Sequence, residues 1–251
     1  MTPPAPQVPP TLETPEPSGA ALPGAAPPGA APPERVTDEH RLFAFTLERI
    51  VFFSDAVIAI AITLLALELR LPELPPGQTD ASLLDALSRD GSAIFAFVLS
   101  FTVIALFWLG HYRTFRYVID ADGRLVAINF AFLFCIAILP YPTSIIATQG
   151  DLPSATIVYA LFGLATGVVS TLLWVYPTRI AHLASPDVTP AIARYVTWRA
   201  AIIPIMFAIS IPAALVSPYL AWLLWLMAAP AQAVLTRRFQ TRGHMGMSRG
   251  S

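Results

Sequence analysis

Six stretches of the chain are long runs of apolar side chains with few or no charges: approximately Ile50 to Leu71, Ala93 to His111, Leu125 to Ala147, Ala155 to Tyr176, Trp198 to Val216 and Tyr219 to Leu235. A helix needs about 20 residues to cross a hydrocarbon core roughly 30 Å thick, and each run approaches that length. Membrane barrel strands are shorter and alternate polar with apolar positions. These runs are apolar all round, so the pattern predicts an all-α integral membrane protein with six transmembrane helices per subunit. The fifth run carries Pro204 and Pro212, which predict kinks that neighbouring helices tolerate by satisfying the freed carbonyls.

Outside the runs the character changes. Met1 to Pro33 holds twelve of the 25 prolines, mixed with Ala, Gly and Thr. It buries nothing, so residues 1–36 are expected to be a disordered tail. A basic start and an apolar run before a cleavage site, the marks of a signal peptide, are missing from it. Thr37 to Thr46 reads as a helical lead into the first run, and the six-helix domain is expected over 37–238, with a short basic tail over 239–251. The connection from Pro72 to Gly91 is acidic, with Glu73, Asp80, Asp85 and Asp90 against Arg89. Such a surface mildly enriches cations.

Composition agrees with membrane burial: 55% of residues are hydrophobic, 12% charged, and the mean hydropathy is +0.63. Net charge is −1, but the cations are patterned: all are Arg, thirteen fall on one side of the predicted spans, and only Arg70 and Arg89 fall on the other. The positive-inside rule then places both termini in the cytoplasm, in a multi-pass protein of the cell membrane. An even number of spans agrees. Cys135 is the single cysteine and sits inside the third run, so a disulfide framework and a cysteine metal site are both excluded. P-loop, HExxH and GxSxG motifs are absent, which argues against an enzyme, a metal site or a cofactor. No basic nucleic-acid motif is present. The filter string TVGYG is also missing, and "GLATGVVS" from Gly163 to Ser170 lies mid-helix with its carbonyls committed. Any pore here must be selective through side chains.

Candidate chemistry concentrates on the first run, "ERIVFFSDAVIAIAITLLALELRLP". On a helix Arg49, Phe53, Ala56, Ile60, Leu64 and Leu67 share one stripe, with Thr63 on its flank. That seam is able to face identical copies of itself. Ser54 and Asp55 point elsewhere. A carboxylate in a membrane is costly unless paired or hydrogen-bonded, and the derived topology puts Trp108, His111 and Asn129 at the depth of Asp55. Asp55 and Ser54 can accept from Trp108, His111 or Asn129, and Arg49 can add a charge-assisted bond. We expect a polar lock that fixes the rotation of the first helix. Arg, Trp and His near helix ends also serve as interfacial anchors, but an Asp anchors nothing by snorkelling.

Arg49 followed by Phe53-Ser54-Asp55 resembles the RxxxFSD signature of the transmembrane protein 175 family. "SFTVIALFWLGHYRTF", with Trp108 and His111, is similar to that family's second helix, and "LVAINFAFLFCIAILPYPT", with Asn129 and Leu139 to Thr143, to its third. The motif-bearing resemblance covers roughly Arg49 to Thr143. It implies a potassium channel, leak-type and modestly selective over sodium, with helix one of each subunit lining a central pore. A chain with one six-helix repeat implies a homotetramer in a lipid bilayer, with K+ as the permeant ion. The family's constricting position carries over to Ile60 and its pore threonine to Thr63, and Leu64 and Leu67 extend the constriction. Ala56 replaces the Gly frequent in bacterial members, a small change. Two rivals remain: a proton-coupled secondary transporter or proton pathway using Asp55 and His111, and a membrane enzyme, which lacks a nucleophile or metal set. Glu68 and Arg70 suit either a cation-attracting mouth or the membrane surface.

Overall fold

Prolines set several of the helix starts. The structure, a computed structural model, describes residues 38–69, 79–89 and 91–247, with side chains for 47–67, 69, 79–85 and 91–237. The 1–36 tail, the Glu68 side chain and Arg70 lie outside the described residues. Among the described residues, eight α-helices follow in order: α1 Asp38–Leu64, α2 Asp80–Arg89, α3 Gly91–Phe115, α4 Gly123–Ile138, α5 Pro140–Gln149, α6 Pro153–Val175, α7 Pro190–Val216 and α8 Pro218–Met247. Four of them, α5 to α8, begin on Pro, whose missing N–H is unneeded in a first turn and whose φ suits it. Asp122 caps α4 by accepting from Leu125 N at 2.7 Å, and Thr189 caps α7 by accepting from Ile192 N at 3.3 Å.

Among the described residues, six helical segments are long and apolar enough to cross a membrane: Leu47–Leu67, Gly91–Phe115, Gly123–Gln149, Pro153–Ile180, Pro190–Val216 and Pro218–Arg237. The chain is therefore an all-α multi-pass membrane protein. Several boundaries differ from the expectation. The helical lead is continuous with the first span from Asp38, and the acidic connection contains α2. The third span is broken at Pro140 into α4 and α5, because Pro cannot donate to the preceding turn. The fifth span starts at Pro190 rather than near Trp198, as the polar residues Arg194, Tyr195 and Thr197 are still helical. At the C-terminus the helical backbone runs on to Met247, through most of the expected basic tail.

α6 is the hub. It packs against α3, α4, α5, α7 and α8, most extensively against α7. The "GLATGVVS" string makes this possible: a Cβ on Gly163 would overlap the Phe207 ring, and one on Gly167 would lie 3.0 Å from Pro204. Small residues a turn apart let two membrane helices approach closely. Pro204 and Pro212 remain inside the continuous α7. Polar side chains on the spans are largely satisfied at home, as where Thr166 and Thr171 donate to the carbonyls of Phe162 and Gly167, both at 2.8 Å. At one end, a short antiparallel bridge between Val118 and Ala184 ties the α3–α4 connection to the α6–α7 connection.

α1 stands apart from this core. It packs on α3 and α4, and its terminal 3-10 turn Leu65–Glu68 on α3 and α5. Its buried seam is Ser54, Ile58, Ala61 and Leu65, which recurs at helical spacing. Much of the rest of its circumference is exposed.

Candidate pore-lining face and polar lock

The exposed side of α1 carries the predicted stripe. Phe53 is 48% exposed, Ile60 58%, Leu64 41% and Leu67 73%, and Arg49, Ala56 and Thr63 are exposed as well. An aliphatic row this open on a membrane helix needs lipid, another subunit or a pore against it. Thr63 Oγ1 donates to the Ile60 carbonyl at 2.8 Å, so only its oxygen lone pairs remain to serve a cation.

Three buried side chains hold the opposite face. Ser54, on α1, is 0% exposed, Asn129, on α4, 2%, and His111, on α3, 1%. Asn129 Nδ2 donates to Ser54 Oγ at 2.9 Å, and Ser54 Oγ donates to the Ile50 carbonyl at 2.8 Å. With its amide nitrogen so engaged, Asn129 offers Oδ1 to His111 Nε2 at 3.0 Å. This order of donors makes Nε2 the protonated ring nitrogen in the neutral imidazole. His111 Nδ1 is buried with no partner among the described residues. The ring is wedged by Phe115, with centroids 4.5 Å apart, and stacked on Phe132 at 5.5 Å.

Asp55 joins a different contact. Its Oδ1 accepts from Trp108 Nε1 at 2.8 Å, yet Asp55 stays exposed and Trp108 is 37% exposed. The expected single network is thus two: a buried Ser54–Asn129–His111 chain and a peripheral Asp55–Trp108 bond. Asp55 follows Ser54 on the helix and is turned about 100° away from the seam, so its bond to Trp108 lies at the edge of the α1 contact. Both contacts tie α1 to α3 or α4 and constrain its rotation.

Other groups were missed from sequence. Phe52 is 78% exposed beside the stripe. Phe53 meets Phe130 of α4 with ring centroids 5.7 Å apart, and both border an open cleft of about 910 Å³ that also touches Glu48, Arg49 and Ala56. A second buried network joins Thr143 Oγ1 to Ser100 Oγ at 2.8 Å and Ser100 Oγ to Tyr159 OH at 2.9 Å. Its members lie on three spans at no recognisable spacing, so only their polarity within apolar runs signals them. Just outside the third span, Asp122 Oδ2 accepts from Tyr176 OH, and this bond, together with the Leu125 amide, holds the Asp122 carboxyl below the ordinary carboxylate range. Among the described residues no group of three or more His, Cys, Asp or Glu side chains could hold a metal ion.

Known proteins resemble this chain in sequence and in fold. Residues 49–140 match the family model described as endosomal/lysosomal potassium channel TMEM175. Over 174 residues the chain is 35% identical to a protein of Streptomyces collinus named potassium channel, a match covering 67% of this chain and 82% of that one. A human protein named endosomal/lysosomal proton channel TMEM175 is 30% identical over 142 residues, which is 56% of this chain and 28% of the human protein. The crystal structure of a lysosomal potassium-selective channel TMEM175 homolog from Chamaesiphon minutus superimposes with a TM-score of 0.66 at 27% identity, covering 75% of this chain and 97% of that one.

Proposed function

The chain belongs to the TMEM175 family, and from that premise we propose that it is a potassium channel whose pore is lined by α1 from four identical subunits. The family is one of ion channels rather than of enzymes. The observation that carries the pore assignment is the exposed row Ile60, Leu64 and Leu67 on a helix whose other face is held by Ser54, Asn129 and His111. Rings of these aliphatic side chains form a narrow neck. Water is held poorly there and an ion sheds part of its hydration, so the neck both gates and discriminates. Potassium, the larger ion, gives up hydration water more readily than sodium, which yields modest selectivity and a leak. Thr63 supplies acceptor oxygens beside Ile60, where the aliphatic ring supplies none. The protein resides in the cell membrane with both termini cytoplasmic, as the arginine asymmetry supports.

The rival reading is a proton-coupled transporter or proton pathway through Asp55 and His111, and the human relative's name as a proton channel lends it interest. Against a direct relay, those two side chains hydrogen-bond to different partners, Trp108 and Asn129. Bilayer recording of the purified protein in potassium and sodium gradients decides the matter. Ohmic single-channel currents that reverse near the potassium potential are expected. Saturable flux coupled to protons would overturn the channel. Ile60→Asn wets the neck and is expected to raise conductance and weaken discrimination among monovalent cations, whereas unchanged currents would remove Ile60 from the constriction.

A further inference from the structure

Away from α1, a cavity of about 30 Å³ lies where α3, α6, α7 and α8 meet, and two cations line it: Arg113 of α3 and Arg199 of α7. Both are half-buried within spanning segments. Gln232 of α8 is buried, and its Oε1 accepts from Arg199 Nε at 3.3 Å and from Arg199 Nη2 at 3.2 Å. That pair fixes the guanidinium and leaves its remaining N–H donors without an acceptor among the described residues. Tyr195, one turn from Arg199, is tied to Thr236 of α8 at 2.9 Å, so the wall is rigid.

The cavity has no negative charge of its own. None of α3, α6, α7 and α8 contains an Asp or Glu, and neither Arg113 nor Arg199 forms an ion pair among the described residues. Carboxylates in or near the adjoining connections are engaged elsewhere: Asp120 with the Ala121 amide, Asp122 with Tyr176 and Leu125, Asp187 with Ser185, and Asp55 with Trp108. Arg116 and Arg194 on the same helical ends or their connections add further positive charge. Two guanidinium groups held partly out of water without a counter-ion are expensive, so the fold leaves a charge to be supplied from outside.

We propose that this cavity receives a phosphate oxygen of an anionic phospholipid, clamped between Arg113 and Arg199. A cavity of about 30 Å³ has room for a small polar group such as a phosphate oxygen but not for a whole organic anion. Planar guanidinium forks match phosphate geometry. The position favours a lipid over a free ion: the rest of the lining includes Leu106, Phe107 and Ile203, and Trp198 beside Arg199 is 61% exposed, as suits a headgroup boundary. Basic pockets between membrane helices hold lipid headgroups in this way.

The test reads folding, so its outcome is independent of the pore. The purified full chain in detergent is heated with added phosphatidylglycerol, with phosphatidylcholine, or with inorganic phosphate at equal concentration. Phosphatidylglycerol is expected to raise the unfolding midpoint by several degrees over phosphatidylcholine. Arg113→Gln, which strands no internal acceptor, and Arg199→Gln are each expected to lose at least half of that rise, Arg113→Lys to keep part of it, and the exposed Arg194→Gln to keep it all. The proposal is overturned if both lipids act alike, if Arg113→Gln and Arg199→Gln retain the rise, or if Arg194→Gln loses as much as they do. A full rise with inorganic phosphate alone would assign the site to a free anion and overturn the lipid assignment.

Discussion

Asn129→Leu tests whether the orientation of α1 depends on one side chain. Leu keeps the branched outline of Asn, so the change chiefly removes polarity, although its bulkier methyl groups add some packing strain. Two bonds disappear: Asn129 Nδ2 to Ser54 Oγ and His111 Nε2 to Asn129 Oδ1. They are unequal. Ser54 still donates to the Ile50 carbonyl, so it loses only a partner for a lone pair, and intramembrane hydrogen bonds of this kind average about 0.6 kcal/mol. His111 is left with a buried N–H and nothing to accept it, while Nδ1 already has no partner, and stranding a buried donor costs about 1–3 kcal/mol. The total is about 1.5–4 kcal/mol, most of it on the imidazole. Adding His111→Phe should therefore recover most of the loss, because Phe fits the ring site between Phe115 and Phe132 and removing both partners of a buried bond is nearly neutral. Denaturant unfolding of the purified protein measures both variants, and single-channel recording reports whether α1 has turned. The reasoning is refuted if Asn129→Leu costs less than about 0.5 kcal/mol, or if the second substitution deepens the loss.

Three further outcomes follow from the same contacts. Asp55→Ala frees the Trp108 indole N–H, but both groups are partly exposed, so about 1 kcal/mol is expected, seen as less assembled protein on size exclusion; normal assembly with transport abolished would instead favour a titrating carrier. Gly163→Val drives a side chain into the Phe207 ring and should destabilise by about 1–3 kcal/mol, while Gly123→Ala, with open space around its Cβ, should unfold at the parental midpoint. Because the folded-state value of Asp122 is depressed, its contribution is fully present above the ordinary carboxylate value and is lost as pH falls through the lowered one. Asp122→Asn should therefore flatten the acid end of a stability profile taken from about pH 7 to pH 3, and an unchanged acid slope would argue against the Tyr176 contact.

The sequence alone determined the membrane character, the six spans and the stripe from Arg49 to Leu67, because each is a matter of local hydrophobicity and of helical period. It also placed Ser54, Asp55, Trp108, His111 and Asn129 at one depth, since depth follows from position within a span. It did not decide who bonds to whom. Asp55 and Ser54 are neighbours in the chain, yet a turn of about 100° sends one to a peripheral indole and the other into a buried amide–imidazole chain. Which face of α1 stays open was likewise a tertiary outcome, settled by Ile58 and Ala61 in the helix packed on α3 and α4 and by Leu65 in the turn packed on α3 and α5. The meeting of Arg113, Arg199 and Gln232 lay further out of reach. Those residues sit on three different spans, and only the close approach of the helices around α6, made possible by two glycines, turns scattered polar positions into a site.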